Sequence, residues 1–239
     1  MSDHGPLPFA EAPSRCRRCP RLVGLRKSLR REYPDWWNAP VPAFGDPDAW
    51  LAIVGLAPGK EGANRTGRPF TGDASGEMLF ATLTKFGFVD GAFANDPGDG
   101  IALKGAIILN AVKCLPPGNK PTAAEISNCR PYIAKALVSL PKLRIILALG
   151  KVAHDSIVRL SGSRLADYKF AHGAVLTALG QRKSAFAFGH GALHALPGGL
   201  LLADSYHCSR YNVNTRLLTV TMFEDVFAQA VYISSTSRR

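Results

Sequence analysis

The chain has 239 residues, 46% of them hydrophobic and 20% charged, and it carries a net charge of +11. At roughly 150 residues per domain, this length predicts a single domain over residues 1–239, large enough to bury a core without disulfide cross-links. No apolar run approaches the about 18 residues that span a bilayer and the first 30 residues contain no apolar signal core, so a membrane-spanning chain is excluded and a soluble, cytoplasmic protein is expected.

The positive charge is concentrated near the N-terminus. Eight Arg and Lys residues and no acidic residue lie between Ser14 and Arg31, which accounts for +8 of the net +11. Such a segment favours a polyanionic partner, because each phosphate that it neutralises releases condensed counterions. Solubility or an anionic membrane surface would also explain it. The first 48 residues, rich in Arg and Pro, are predicted to form an extension over the core, with a short helix from about Leu22 to Arg31.

The five cysteines argue against a disulfide framework, because cytosolic thiols stay reduced. Cys16 and Cys19 form a C-x2-C pair, Cys114 and Cys129 form a second pair with fourteen residues between them, and Cys208 is left over. Four thiolates suit tetrahedral zinc or a [4Fe–4S] cluster, provided that the fold brings residue 16 next to residue 114. The spacing does not decide between the two metals, and buried, inert cysteine is the alternative for Cys114 and Cys129.

Short apolar runs predict four buried parallel strands, which are Trp50–Gly55, Ala106–Asn110, Arg144–Gly150 and Leu200–Ala203. Helical patterns separate these runs. Ser75 is predicted to cap a helix that stops at Gly87, and the capping box Thr122–Glu125 opens another. A last helix is expected from about Asn214 to Tyr232. Right-handed βαβ crossovers then place a parallel sheet between two layers of helices.

Sites in such sheets form beyond the carboxyl ends of the strands. Four segments follow the predicted strands and are expected to lie together as loops: Leu56–Asp73, Asn110–Cys114, Gly150–His154 and Asp204–Asn212.

The first of these segments is rich in glycine but is not a phosphate loop. Only three residues separate Gly55 from Gly59, Glu61 stands where a hydroxyl belongs, and the dinucleotide pattern G-x-G-x-x-G is absent. A nucleotide cofactor is therefore disfavoured. Phe70, in this polar context, is interpreted as a flat stacking surface rather than core. Asp73 is either the cap of the following helix or a site carboxylate, and the residues alone favour the cap.

Two further strand ends supply polar side chains. The amide of Asn110 offers a donor and an acceptor that match the edge of a nucleobase, although a strand-end turn cap would equally explain it. His207 could donate a hydrogen bond to developing negative charge. The remaining histidines, at positions 4, 154, 172, 190 and 194, are expected at the surface or as satisfied core residues.

These motifs resemble those of the uracil-DNA glycosylase superfamily, specifically its type 5 iron–sulfur branch. The matching segments are Gly55–Gly59, Ala63–Asp73, Asn110–Pro117 and Ser205–His207, followed by Ser209, Arg210 and Asn212. Cys16, Cys19, Cys114 and Cys129 fall where that family binds a structural [4Fe–4S] cluster. The resemblance extends from residue 16 to about residue 219.

The resemblance implies a three-layer α/β/α fold with a four-stranded parallel central sheet, and an N-terminal extension (about residues 1–48) pinned by the cluster near DNA. It implies a base-excision repair enzyme that flips uracil out of DNA and hydrolyses its N-glycosidic bond, with weaker activity on hypoxanthine or xanthine. The expected partner is DNA containing uracil or another deaminated base, with no membrane. The expected protein is a monomer in the cytoplasm of a bacterium or archaeon, associated with the nucleoid.

The resemblance also implies roles for individual residues. Leu56, Ala57, Phe70, Asn110 and His207 would contact the flipped base. Phe70 would stack on the base, Asn110 would bind its edge and His207 would stabilise its anion. Asp73 would stabilise the sugar cation or orient the attacking water. Arg210, Tyr211 and Asn212 would fill or prop open the gap that the flipped nucleotide leaves in the minor groove.

The chain departs from the family pattern at two places. Cys208 stands where proline usually follows the histidine, and Tyr211 replaces an often polar residue. Leu56 stands where the related type 4 enzymes carry an acidic residue, as it does in type 5, which leaves Asp73 to take that role. The main alternative is an iron–sulfur nucleic-acid-binding protein of the same fold with little or no turnover. A zinc hydrolase is weaker, since no His/carboxylate ligand set stands out in the sequence.

Overall fold

A computed structural model describes residues 7–163 and 188–236. His4 and His172 therefore lie outside the described part of the chain. The strands are β1 (Phe44–Gly45), β2 (Leu51–Gly55), β3 (Val89–Asp90), β4 (Ala102–Leu103), β5 (Ala106–Asn110), β6 (Ile145–Leu149), β7 (Leu193–Ala195) and β8 (Leu201–Ser205). The helices are α1 (Pro20–Glu32), α2 (Ala63–Thr66), α3 (Ala74–Lys85), α4 (Ala123–Val138), α5 (Lys151–Leu160), α6 (Arg210–Asn214) and α7 (Val220–Thr236).

The central sheet contains the four predicted parallel strands in the order β5-β2-β6-β8. The predicted strand count of four is incomplete, because β1 and β7 add short antiparallel strands at the two edges and make a six-stranded sheet. These edge strands have only two and three residues, too few to produce a recognisable apolar pattern. A separate two-stranded sheet pairs β3 with β4.

The central strands are buried on both faces, which explains their continuous apolar sequences. On one face, Leu51 and Ile53 pack in a core with residues of α3 and α7. On the other face, Ala52 and Val54 pack with residues of α4 and α5. The sheet is thus the middle layer of an α/β/α arrangement, as the alternating pattern predicts. No helix within the described ranges is both long enough and apolar enough to cross a membrane.

The helix boundaries confirm some sequence signals and correct others. The capping box at Thr122 is present at the start of α4. The N-cap of α3 is Asp73 rather than Ser75, because the Asp73 carboxylate accepts the first free N–H groups of that helix. The last helix begins at Val220, since residues 210–214 form the separate short helix α6. Residues 151–154 are the first turn of α5 rather than a loop.

Candidate functional site

A cavity of about 320 Å³ opens at the carboxyl edge of the parallel strands. The strand register brings the ends together: Gly55 of β2 pairs with Asn110 of β5, and Leu149 of β6, on the other side of β2, pairs with Ser205 of β8. The cavity is lined by six predicted site residues, which are Leu56, Ala57, Phe70, Asp73, Asn110 and His207. Gly150, Lys151 and Val152 at the start of α5 complete one wall.

Phe70 lies in this cavity with its ring against the end of β2. A Cβ atom at Gly55 would lie 2.9 Å from Phe70 Cζ and 2.7 Å from Asn110 Oδ1, so only glycine leaves room for both side chains. Phe70 adopts a φ of +52°, a left-handed conformation that is uncommon for a bulky residue. Its side chain is only 8% exposed and faces the cavity, so it is both a packed residue and a wall of the site.

A buried ion pair that the sequence analysis missed supports the segment around Phe70. The Arg68 guanidinium donates two hydrogen bonds to the Asp99 carboxylate, at 2.6 and 2.8 Å, and one to Thr71 Oγ1 at 2.8 Å. Burial raises the pKa of Asp99, but hydrogen bonds from Arg68 and from the N–H groups of Ala94 and Ile101 outweigh it and hold that pKa below its usual value. This pairing fixes the backbone on both sides of the strained Phe70.

Asp73 fits both interpretations that the sequence left open. Its Oδ1 accepts hydrogen bonds from the backbone N–H groups of Ser75 (2.9 Å) and Gly76 (3.2 Å), which caps α3. Its Oδ2 faces the glycine-rich loop, where a Cβ atom at Gly59 would lie 3.2 Å away. One oxygen therefore fixes the orientation of the carboxylate and the other is directed toward the loop that lines the cavity.

The His207 ring lies close to the Phe70 ring, with the centroids 5.7 Å apart and the planes inclined by 24°. Burial lowers the pKa of His207, although the negative charge of Asp73 acts in the opposite direction. The imidazole is therefore neutral near pH 7 and can donate one N–H hydrogen bond.

The loop that carries His207 is held by packing and hydrogen bonds. Asn212 Nδ2 donates to the His207 carbonyl at 2.8 Å, and the Cys208 thiol donates to the Ser75 carbonyl at 3.4 Å. Cys208 is buried, and burial raises the pKa of its thiol, so this thiol is unreactive. Cys208 thus connects the loop to the start of α3 through its hydrogen bond to Ser75. At this position the resembling family usually has proline, which would stiffen the loop by fixing the backbone.

The three predicted DNA-binding residues differ in their exposure. Arg210 is exposed at the start of α6, and Tyr211 is 73% exposed. Asn212 is partly buried, and its amide nitrogen is already used on the His207 carbonyl. Of the three predicted residues, Arg210 and Tyr211 are therefore exposed to solvent, whereas Asn212 braces the histidine loop.

The fold brings the two cysteine pairs together around a second, small cavity of about 20 Å³. The cavity is lined by Cys16, Cys19, Cys114 and Cys129. Polar groups donate to the sulfur atoms: the Lys113 N–H to Cys129 at 3.2 Å, Arg26 to Cys114 at 3.6 Å, and the Asn128 amide to Cys19 at 3.7 Å. Donors of this kind stabilise metal-bound thiolates.

Burial disfavours the ionised form of three of these thiols. Burial raises the pKa of Cys19, that of Cys114 to about 12, and that of Cys129 to about 11. Without a bound cation the sulfurs would stay protonated near pH 7, whereas metal binding removes those protons. The spacing of the cysteine sulfurs does not match that of a tetrahedral zinc site. Zinc holds four sulfurs about 3.8 Å apart, and within residues 7–163 and 188–236 no three cysteine sulfurs lie within 4.8 Å of one another.

The part of the chain that forms the sheet and the cavity matches a known protein family. The family model described as the uracil DNA glycosylase superfamily matches residues 42–231. The chain belongs to this superfamily. The match begins just before β1 and ends within α7, so it includes the whole central sheet and every residue that lines the cavity at the strand ends.

Individual relatives within the superfamily cover most of the chain. A type-5 uracil-DNA glycosylase of Thermus thermophilus is 42% identical over 93% of this chain and 95% of its own length. A type-5 enzyme of Pyrobaculum aerophilum is 38% identical over 90% of this chain and 87% of its own length. A type-4 uracil-DNA glycosylase of the same organism is 34% identical over only 52% of this chain and 56% of its own length.

A second polar group that the sequence analysis missed is buried at β7, β8 and α5. Asp204, at the end of β8, is fully buried and accepts hydrogen bonds from His154 Nδ1 at 2.8 Å and His194 Nε2 at 2.9 Å. Of the two places expected for these histidines, the surface or a satisfied core, they occupy the core. No His/carboxylate set stands out in the sequence, but three such residues from separate elements meet here. Sequence patterns did not reveal this group, because its residues are far apart along the chain.

Proposed function

We propose that this chain is a monofunctional uracil-DNA glycosylase, which flips uracil out of DNA and hydrolyses its N-glycosidic bond to leave an abasic site. The observation that carries the proposal is the convergence of Phe70, Asn110 and His207, from three separate strand ends, on one cavity. The type-5 relatives, which match nine-tenths or more of the chain, support it. A base inside a duplex is unreachable, so flipping costs a few kcal/mol of unstacking and unpairing, least for a mispaired uracil.

Base recognition rests on the flat ring of Phe70 and the amide of Asn110. The two side chains meet beside Gly55, so a base lying on the ring would present its edge to the amide. The Phe70 and His207 centroids are 5.7 Å apart, less than the about 7 Å that two successive stacked contacts need. The base therefore does not enter between these rings, and His207 approaches it from the edge.

The chemical step separates charge. As the bond between sugar and base breaks, the electron pair stays on the base and the sugar gains positive character. His207 is placed to donate a hydrogen bond to the base anion, which preorganised donors stabilise strongly. Asp73, held by its cap hydrogen bonds, is placed to stabilise the sugar cation or to orient the water that supplies the hydroxyl group.

The decisive experiment uses a uracil-containing oligonucleotide treated with the protein and then with alkali, which cuts at abasic sites. We expect strand cleavage only where uracil was present. No cleavage with excess protein, together with retained DNA binding, would instead favour the non-catalytic alternative.

Two substitutions separate the two functions of Asp73. Asp73→Asn keeps an oxygen that caps α3 and removes the charge, so we expect excision to slow by about 10²–10⁴-fold with little change in stability. Asp73→Ala removes the cap as well and should also lose about 0.5–2 kcal/mol of unfolding free energy. Single-turnover excision and thermal melting measure the two effects. Full activity of the Asn variant would contradict a catalytic role for the carboxylate.

The lowered pKa of His207 has a consequence for the pH dependence of excision. Because burial moves this pKa below the ordinary 6.5, the neutral imidazole remains the predominant form as the pH falls from 8 to 6.5. We therefore expect no rise in the excision rate across that interval. A rise that titrates at or above pH 6.5 in the parent protein and is absent in His207→Gln would show that the charged imidazole is the active form.

We further propose that Cys16, Cys19, Cys114 and Cys129 hold a [4Fe–4S] cluster. The shared cavity and the hydrogen bonds to the sulfurs support this assignment. When bound, the cluster would act structurally, by fixing the basic N-terminal segment beside the sheet. DNA is the partner that this segment would contact, through charge neutralisation of phosphates.

Replacing Cys16 by alanine should remove iron and inorganic sulfide from the purified protein and lower its solubility. The matched control is Cys208→Ala, which removes a buried thiol outside the four-cysteine cavity and should leave the iron content unchanged. Elemental analysis and visible absorbance measure both variants. Colourless parent protein with stoichiometric zinc would contradict the cluster.

The substrate range is proposed to include hypoxanthine and xanthine, released more slowly than uracil. The support is that Leu56, an apolar residue, lines the cavity beside Ala57, so no charged group at that position restricts the outline of the base. A panel of otherwise identical oligonucleotides with each base tests this. Release of uracil alone would contradict the proposal that hypoxanthine and xanthine are substrates.

A further inference from the structure

A group of aromatic side chains, two of them half-buried and one exposed, lies where α1 ends, distinct from the cavity. It consists of Tyr33, Trp36 and Trp37, and we call it the aromatic patch. The rings of Tyr33 and Trp36 are stacked, with centroids 4.0 Å apart and planes inclined by 13°. Lys60 covers this stack, with its Nζ 4.8 Å from the Tyr33 centroid and 5.9 Å from the Trp36 centroid.

Trp37 packs against the loop that lines the cavity. Its ring lies on Gly67, where a Cβ atom would be 2.7 Å from Trp37 Cδ2, and it remains 46% exposed. Its backbone N–H donates to the Arg65 carbonyl at 2.9 Å. Lys60 adjoins Gly59, which lines the cavity. The aromatic patch therefore contacts the same loop, residues 56–73, that lines the cavity.

The surroundings of the aromatic patch are mixed in charge with an excess of cations. The exposed basic residues are Lys27, Arg30, Arg31, Lys60 and Arg65, and the exposed acidic residues are Glu32, Asp35 and Glu61. A half-buried pair of stacked rings, an exposed tryptophan one residue further along the chain and several nearby cations together have the composition of platforms that bind single-stranded nucleic acid. The lysine over the stack adds a cation–π contact that holds the rings in place.

We propose that the aromatic patch is a stacking subsite for an unpaired nucleobase of single-stranded DNA, separate from the cavity that takes the excised base. This inference rests on the proposed function only for the identity of the polymer, and it requires no excision. Stacking tolerates any sequence because every base has a π-face. The subsite would hold unpaired DNA beside the cavity, because Trp37 packs against the loop that carries Phe70.

The test measures the affinity of the full-length protein for a single-stranded oligonucleotide of thymine, which contains no uracil. The double variant Trp36→Ala/Trp37→Ala should bind about 5- to 150-fold more weakly. The matched control is Tyr232→Ala, an aromatic residue that is 69% exposed on α7, and it should bind like the parent. Thermal melting verifies that each variant is folded.

A second ligand separates stacking from contacts to phosphate. An abasic oligonucleotide of the same length carries the charges without the bases, so the double variant and the parent should bind it equally. An equal loss on both ligands, or no loss on the thymine ligand, would overturn the subsite. Excision of uracil from duplex DNA is measured separately, so failure of the proposed function and failure of the subsite give different results.

Discussion

Replacing His207 by alanine is expected to lower the single-turnover rate of uracil excision by about 10²–10³-fold, which corresponds to about 2.7–4 kcal/mol of lost transition-state stabilisation. The reason is that its hydrogen bond strengthens only as negative charge develops on the leaving base. The affinity for uracil-containing DNA should change little, because the interaction belongs to the transition state rather than to the bound substrate. Excision rates and DNA affinities of the same variant measure the two quantities.

Asn110→Ala provides the comparison for this result. Asn110 would contact the base edge before and during the reaction, so its removal should weaken binding of the flipped base as well as slow the step. If both variants lost affinity equally and kept the maximal rate, His207 would be a binding residue and the assigned role would be wrong.

Replacing Asp204 by alanine is expected to reduce the free energy of unfolding by about 2–6 kcal/mol. Two buried imidazoles lose their hydrogen-bond acceptor, and each such loss costs about 1–3 kcal/mol. Asp204 and His154 are completely buried, and His194 is 9% exposed, so water does not replace the carboxylate without local opening. Denaturation with urea measures the change.

Asp155→Ala is the matched control for the Asp204 variant. Asp155 pairs with Lys151 one turn away on α5, and the Lys151 side chain is 67% exposed. Such a surface pair contributes about 0–1 kcal/mol. If Asp204→Ala destabilised the protein no more than Asp155→Ala, the His–Asp–His group would not contribute to stability as inferred.

The parts of the fold that could be predicted are those with a local signal. The apolar run Ile145–Leu149 and the capping box at Thr122 each have their cause within a few residues. The rule that strand ends of a parallel sheet lie together then placed Phe70, Asn110 and His207 at one site. Edge strands of two or three residues carry no such signal, so β1 and β7 were missed.

The parts that could not be predicted depend on contacts between distant residues. Arg68 and Asp99 are 31 positions apart, and His154 and Asp204 are 50 apart. Neither pair therefore produces a recognisable pattern within one segment of the sequence. Asp73 was ambiguous for a different reason. A carboxylate has two oxygens, and here one caps a helix while the other faces the glycine loop.

Helix α1 joins the two centres of the molecule, and this has a mechanical consequence. It begins directly after Cys19, and beyond its other end the Asn38 amide donates to the carbonyls of Leu29 and Tyr33 and accepts from Asn64 in the cavity loop. A helix of 13 residues is a stiff rod about 20 Å long. A shift of this rod at its Cys19 end would therefore move the Asn38–Asn64 hydrogen bond, and with it the segment beside the cavity.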